Sequence, residues 1–395
     1  MTRKETALNL AVFADLFGFG MLIADFQIRA EEVIPRQWPV GAVIGIMLAS
    51  TFVTQTIVSP RWGSLSDRAG RKSVFIACTI LSAAAMLVYG FAFEVWGLLI
   101  SRILAGLGGA NVAIAQACLT DEGEEGRSGR LGRLGAFLSA GLIIGPPIGG
   151  FLSHHFGHGM LGFVGAGASL LGLALVAWTL PNDRPKSPMK ARSVGIFDFQ
   201  ILKDFPDLRP YVLVAVVAWF SLATLEGTFG RLIQKLFSYG SQEFGIIFGY
   251  ESALGLVVSG VLVGWLAGRL RETVQLRYAY LAQGVGLALN PVAVMLPIPA
   301  MVSLLFASTL YAIGSGIANP VINTLCSRIA PENRQGELFG LMQGTRSLGF
   351  VLGPVLGGIL FDWRPAAPYL LAGGVCLLAT FLVPRAQRID SQTAA

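Results

Sequence analysis

Apolar runs long enough to cross a lipid bilayer recur along almost the whole chain, and no other feature constrains its fold so tightly. A hydrocarbon core about 30 Å thick takes roughly 20 residues of helix, and lipid offers no partner to an unpaired backbone N–H or C=O. Such runs fall at 9–30, 39–60, 74–93, 95–118, 132–153, 160–180, 211–232, 243–267, 275–296, 299–325, 336–360 and 367–384. They predict an all-α polytopic membrane protein with twelve transmembrane helices. Composition agrees: 54% of the 395 residues are hydrophobic and 13% charged, against about 25% charged in a soluble domain. Met1 to Gly20, MTRKETALNLAVFADLFGFG, pairs cations with an apolar run as a secretory signal does. It has no small-residue cleavage site and the run continues, so it reads as the first span.

The net charge of +6 sits in loops beside apolar spans, so it points to anionic lipid headgroups as neighbours and not to nucleic acid. Arg3, Lys4, the cations of 61–72, Arg127, Arg130, Arg133, the 181–209 segment, Arg269, Arg271, Arg277, Arg328, Arg334, Arg385 and Arg388 fall on one side of the twelve runs, against Arg29, Arg36, Arg231, Lys235 and Arg364 on the other. The bias predicts a multi-pass protein of the inner (plasma) membrane with both termini cytoplasmic. Cys78, Cys118, Cys326 and Cys376 lie in or at the ends of apolar runs without CxxC or Cys/His spacing. Neither disulfides nor a metal is expected. The sequence has no GxxxxGK[ST] loop and no Ser/His/Asp constellation, so neither ATP hydrolysis nor enzymatic chemistry is expected, and no cofactor.

PNDRPKSPMKARSVGIFDFQILKDFPDLRP, Pro181 to Pro210, is the one long polar stretch and falls between spans six and seven. It divides the chain into a six-helix bundle at 1–180, a cytoplasmic linker at 181–209 and a second bundle at 210–395. The halves look alike. Gly106 to Leu119, GLGGANVAIAQACL, aligns with Gly314 to Ser327, GSGIANPVINTLCS, and the same offset lays Gly145–Gly150, GPPIGG, on Gly353–Gly358, GPVLGG. Parallel repeats of this kind belong to transporters that rock two bundles around a central site.

Between spans two and three stands GSLSDRAGRKS, read as a charged hairpin. Its Gly63, Leu65, Asp67, Arg68, Gly70, Arg71 and Lys72 resemble the G-x-L-x-D-R-x-G-R-K loop of the major facilitator superfamily, and GWLAGRLRE keeps a worn copy in Gly264, Leu266 and Arg269. In the fifth span Gly141, Gly145, Pro146, Gly149 and Gly150 match the G-x(3)-G-P-x(2)-G-G motif of exporters of the drug:proton antiporter type. In the first span Asp15, Gly18 and Gly20 resemble tetracycline-efflux-type proteins. Ala24 stands where those have proline, and Asp25 where an apolar residue is usual. The resemblance implies a monomeric secondary transporter that exports lipophilic or amphipathic molecules, as in multidrug or tetracycline-like efflux, in exchange for protons by alternating access. Transport of a sugar, metabolite or lysolipid, with different or no proton coupling, is the alternative. In the family reading Asp67 closes an inner gate by meeting the start of a second-half helix; the alternative reading anchors Arg68, Arg71 and Lys72 by charge bias alone.

Asp15, Asp25, Arg102, Glu226, Glu251 and Arg346 fall inside apolar runs. A charge at mid-span costs about 2.5 kcal/mol or more on insertion scales and needs a partner or a wet cavity. Counted from span ends at 1.5 Å per residue, Asp25, Arg102, Glu226 and Glu251 lie roughly 7–12 Å below the outer surface, where one cavity can hold them all. Asp25 is the favoured coupling acid; pairing with Arg29 one turn on is its structural alternative. Arg102 matches the superfamily's fourth-span arginine, for which a part in proton transfer has been proposed. Asn111, Asn319, Gln55, Gln116 and Gln343 are candidate cavity-lining residues, interhelical hydrogen bonding being the other reading. His154, His155 and His158, in SHHFGHG, read as a solvated outer loop.

Overall fold

A computed structural model describes residues 1–121, 126–181, 200–331 and 334–384. The described chain is helical throughout, with no strand among the described residues, as expected where lipid leaves the backbone no partner but itself. The helices are α1 Arg3–Ile23, α2 Phe26–Val33, α3 Val40–Ala69, α4 Arg71–Gly90, α5 Val95–Gly108, α6 Asn111–Thr120, α7 Arg127–Phe156, α8 His158–Thr179, α9 Gln200–Asp204, α10 Arg209–Phe237, α11 Ser241–Val257, α12 Val263–Leu266, α13 Glu272–Val292, α14 Ala300–Ile329, α15 Gln335–Trp363 and α16 Ala367–Leu382. Among the described residues ten stretches are long and apolar enough to span a bilayer, and α16 is a shorter apolar helix. The remaining predicted run coincides with α13, whose Gln275, Gln283 and Asn290 are buried within it. The protein is an all-α, multi-pass membrane protein. Most of the predicted linker and residues 122–125 of the loop after span four lie outside the described residues, as do Arg385 and Arg388.

The run boundaries conceal several breaks. The stretch at 63–73 is not a hairpin loop: α3 carries on through it to Ala69, and a single residue, Gly70 at φ 94°, separates it from α4. That positive φ is open to glycine and strained for any other residue. Ser64 and Ser66 lie within the helix and donate to the carbonyls three residues back, Arg61 and Gly63. The first span ends early and re-forms as α2 after Ala24 and Asp25, and the fourth is divided at Gly109–Ala110. In the eighth, a π-helical turn at Val258–Leu262 joins α11 to α12, an irregularity often found at functional positions.

Contacts gather the chain into two units. The first comprises Met1–Ser193 with Glu226–Tyr250 and Pro354–Asp362; the second comprises Val194–Leu225, Glu251–Gly353 and Trp363–Ala395. The sequence division at 181–209 and this one differ at 226–250 and 354–362, second-half segments that pack with the first half. In the first unit α7 lies against α1 at backbone distance. A Cβ on Gly141 would stand 3.0 Å from Phe17 N, and one on Gly145 2.8 Å from Gly20 Cα. Small residues at four-residue spacing permit this approach. In the second unit α15 meets α10 in the same way, with a Cβ on Gly349 reaching 2.7 Å from Phe220 N and one on Gly353 2.8 Å from Thr224 N. The two repeats of the glycine motif thus make equivalent helix pairs.

Candidate functional site: a buried carboxylate and its neighbours

Asp25 sits where α1 stops and α2 begins, and its side chain is fully buried. Four side chains from four other helices surround its carboxylate. Tyr89 of α4 donates to Oδ2 at 2.5 Å. His158, the first residue of α8, places Nδ1 2.7 Å from Oδ1, and Ser241, the first of α11, donates to Oδ1 at 3.0 Å. Ser153 of α7 also donates to Oδ1. An isolated buried charge costs several kcal/mol, and a donor set of this size offsets that cost.

Cations lie just outside this shell. The Arg29 guanidinium stacks over Tyr89 at 4.4 Å and donates to the Tyr89 carbonyl at 2.6 Å and to that of Ala92. The alternative Asp25–Arg29 pairing is not what forms. Arg102, 2% exposed, lies 5.0 Å above Phe26 and 5.8 Å from Tyr89, and its Nη2 has no hydrogen bond. His158 turns its other nitrogen, Nε2, to Glu32 at 3.2 Å. A cavity of about 480 Å³ lined by Arg29, Glu32, Phe91, Phe156, His158 and Phe163 opens beside it.

Two residues further on, in α2, the Gln27 amide donates to the Glu226 carbonyl at 2.5 Å and accepts from Gly230 N–H at 3.0 Å. Those two backbone groups are four residues apart on α10, which stays a continuous helix there, so the Gln27 amide clips onto one turn of it. Beyond it Arg231, 2% exposed, gives Nε to Glu31 at 2.7 Å and Nη2 to Asp362 at 3.3 Å. Asp362 also accepts from Gly41 N–H at 2.7 Å and Ala42 N–H at 3.1 Å, capping the N-terminus of α3 from the far end of α15. Glycines allow the surrounding crossings. A Cβ on Gly41 would strike the Gly358 carbonyl, one on Gly150 the Ser241 carbonyl, and one on Gly245 the Pro146 carbonyl.

Of the other predicted residues, Asp15 and Asn111 are brought together, Nδ2 to carboxylate at 3.0 Å. Gln55 donates to the Gly109 carbonyl at 2.7 Å, holding the break between α5 and α6. Gln116 and Gln343 are exposed, Asn319 is half-buried, and Glu251 is buried in the second unit. Arg346 lies 5.2 Å above Trp219 and 5.6 Å above Phe350. In the charged stretch Arg71 joins Asp67 at 2.7 Å, Asp121 at 3.3 Å and Ser66 at 2.5 Å, while Lys72 donates to the Leu180 carbonyl at 2.6 Å and Arg68 is exposed.

The histidine segment differs from the solvated outer loop expected of it. It is not a solvated loop: His154 and His155 close α7, and His158 is a ligand of Asp25. Tyr89, Ser153, Ser241, Gln27, Arg231 and Asp362 were also not legible as site residues. The signal in the sequence is Asp25 itself, an acid deep in an apolar run.

Residues 8–349 and 284–393 match the family described as Major Facilitator Superfamily. The chain belongs to that superfamily. Among its relatives is multidrug resistance protein 1 of Bacillus subtilis (strain 168), 29% identical over 97% of this chain and 98% of that protein. Another is the class G tetracycline resistance protein of Vibrio anguillarum, 27% identical over 88% of this chain and 87% of its own length. The crystal structure of the nucleoside transporter NupG superposes with a TM-score of 0.75 at 16% identity, covering 96% of this chain and 98% of that one. This last likeness concerns the fold. The superfamily is one of transporters, and this member is a multi-pass membrane transporter with proteins named for multidrug and tetracycline resistance as relatives.

Proposed function

We propose that this transporter is a proton-coupled antiporter of the inner membrane that exports lipophilic or amphipathic small molecules by alternating access. The observation that carries the reading is the Asp25 site: a fully buried carboxylate within hydrogen-bonding reach of groups on α4, α7, α8 and α11, one of which, Tyr89, has Arg102 over its ring. Such an acid changes proton affinity when its donors leave, and α11 belongs to the second half of the chain. Relatives named for multidrug and tetracycline resistance support export as the direction and drug-like molecules as the cargo.

In this reading both termini are cytoplasmic and the two bundles at 1–180 and 210–395 rock about the 181–209 linker. The ties from α2, α3 and α7 to Glu226–Tyr250 and Pro354–Asp362 are the closed outer gate. Opening it means separating Gln27 from Glu226 and Gly230, and Arg231 from Glu31. Asp67, here bonded to Arg71, serves the inner gate, and Glu226 and Glu251 receive cationic groups of the cargo. The test is efflux of a panel of dyes and antibiotics from a bacterial host stripped of its own pumps. Energised cells should lower dye accumulation severalfold, a protonophore should abolish the difference, and Asp25→Asn should do so without a protonophore. Unchanged accumulation of every compound would overturn the export reading.

A further inference from the structure

We propose that the coupling proton is bound by Asp25 and His158 as a pair, and that its uptake releases Ser241 and with it the start of α11. The inference rests on the proton-coupled reading and deepens it by naming the second half of the site and the element that responds.

The geometry separates two tasks. Asp25 is fully buried and does not line the 480 Å³ cavity, whereas His158 does, together with the exposed Glu32. A proton entering from that cavity reaches Asp25 past the imidazole. Both ring nitrogens face carboxylates, Nδ1 toward Asp25 at 2.7 Å and Nε2 toward Glu32 at 3.2 Å. Satisfying both makes the ring a donor at each nitrogen, the imidazolium form. The pair then holds one proton between an imidazolium and a carboxylate. Adding a second forms an O–H bond on Asp25, removes its charge and leaves it acceptor capacity for fewer than its four donors. Three of those, His158, Ser153 and Ser241, converge on Oδ1. Bonds to a neutral carboxyl are roughly half as strong as those to a carboxylate, so all three loosen together.

The consequence falls on α11. Ser241 is its first residue, and the adjacent backbone is in contact with Gly150 of α7. The other charged and titratable groups around the pair are Arg29 from α2, Tyr89 from α4, Arg102 from α5 and Glu243 on α11, whose carboxylate is engaged by Gly240 N–H at 2.8 Å. Glu32 is the acid facing the outer nitrogen of the ring, and Arg29 and Arg102 are the cations packed on Tyr89 beside the pair.

The experiment uses the full-length protein in lipid nanodiscs without substrate, with spin labels on cysteines at Gln37 and Ser238. The distance distribution should gain a longer component as the pH falls from about 8 to about 5, the range in which such groups titrate. His158→Asn keeps a neutral donor toward Asp25 but removes the positive charge that holds a proton off it, so the midpoint should rise by about one pH unit or more. Glu32→Gln weakens the imidazolium and should displace the midpoint measurably, and being exposed it leaves the fold intact. Asp25→Asn should show the long component at every pH. Wild-type midpoints in both His158→Asn and Glu32→Gln would overturn the proposal. Proton-driven transport by wild-type protein in liposomes is measured alongside. If it is absent, the antiporter reading fails; if it is present and His158→Asn keeps the wild-type profile, only the pairing fails.

Discussion

Replacing Asp362 by alanine should open the Asp25 end of the first unit, and the size of the effect follows from its contacts. The carboxylate caps α3 through Gly41 and Ala42 N–H, an interaction worth about 0.5–2 kcal/mol. It also neutralises Arg231, which at 2% exposure retains Glu31. Loss of one partner from a buried charge costs about 1–3 kcal/mol. Because the Asp362 side chain is 24% exposed, the lower half of the summed range applies, about 2–3 kcal/mol. At 1.4 kcal/mol per tenfold, that is about 30- to 150-fold in the closed-to-open ratio. A resting preference of about 10:1 would become about 1:3 or lower, so the open fraction would rise roughly eightfold or more. Thr228, fully buried on α10, reports this when replaced by cysteine in a background without the four buried native cysteines. Its labelling by a water-soluble maleimide should accelerate by that factor in Asp362→Ala and little in Asp362→Asn, which keeps part of the cap. Equal labelling rates in the wild-type background and in Asp362→Ala would refute the claim that this tie holds the end closed.

Further substitutions probe other parts of the account. Gly145→Ala puts a methyl group 2.8 Å from Gly20 Cα, and such overpacking should destabilise by about 1–3 kcal/mol, read as a lower melting temperature. Asp67→Asn removes a pair whose aspartate is 45% exposed; stability should change by less than about 1 kcal/mol while transport slows, since the residue's proposed work is gating and not folding. A cysteine at exposed Ser64 should be shielded from an impermeant thiol reagent in intact cells and one at exposed His155 should react, which checks the orientation.

The helices themselves were legible because the signal for a span is physical and local: about 20 apolar residues have one stable arrangement in lipid. The glycine motif was also readable as a close approach, since a stripe without side chains has little other use. What stayed hidden depended on partners distant in sequence. Asp25 stood out as a buried charge, but its donors come from positions 89, 153, 158 and 241, and only folding brings them together. His158 was misread because histidines beside glycines near a span end look like solvated loop; a helix start at His158, after Gly157 at φ 81°, turns the ring inward instead. The hairpin reading failed for the opposite reason. Its charges suggested a loop, yet SLSDR has no residue that stops a helix, and α3 runs on until glycine ends it.

The central claim is that proton movement drives solute export. Purified protein in liposomes, given an imposed pH gradient and a fluorescent lipophilic cation, tests it most directly. The account predicts that the dye is concentrated on the acidic side by wild type, that protons leave in exchange, and that Asp25→Asn abolishes concentration while exchange down a dye gradient persists. Concentration of the dye by Asp25→Asn at the wild-type level, or wild-type transport indifferent to the pH gradient, would contradict it.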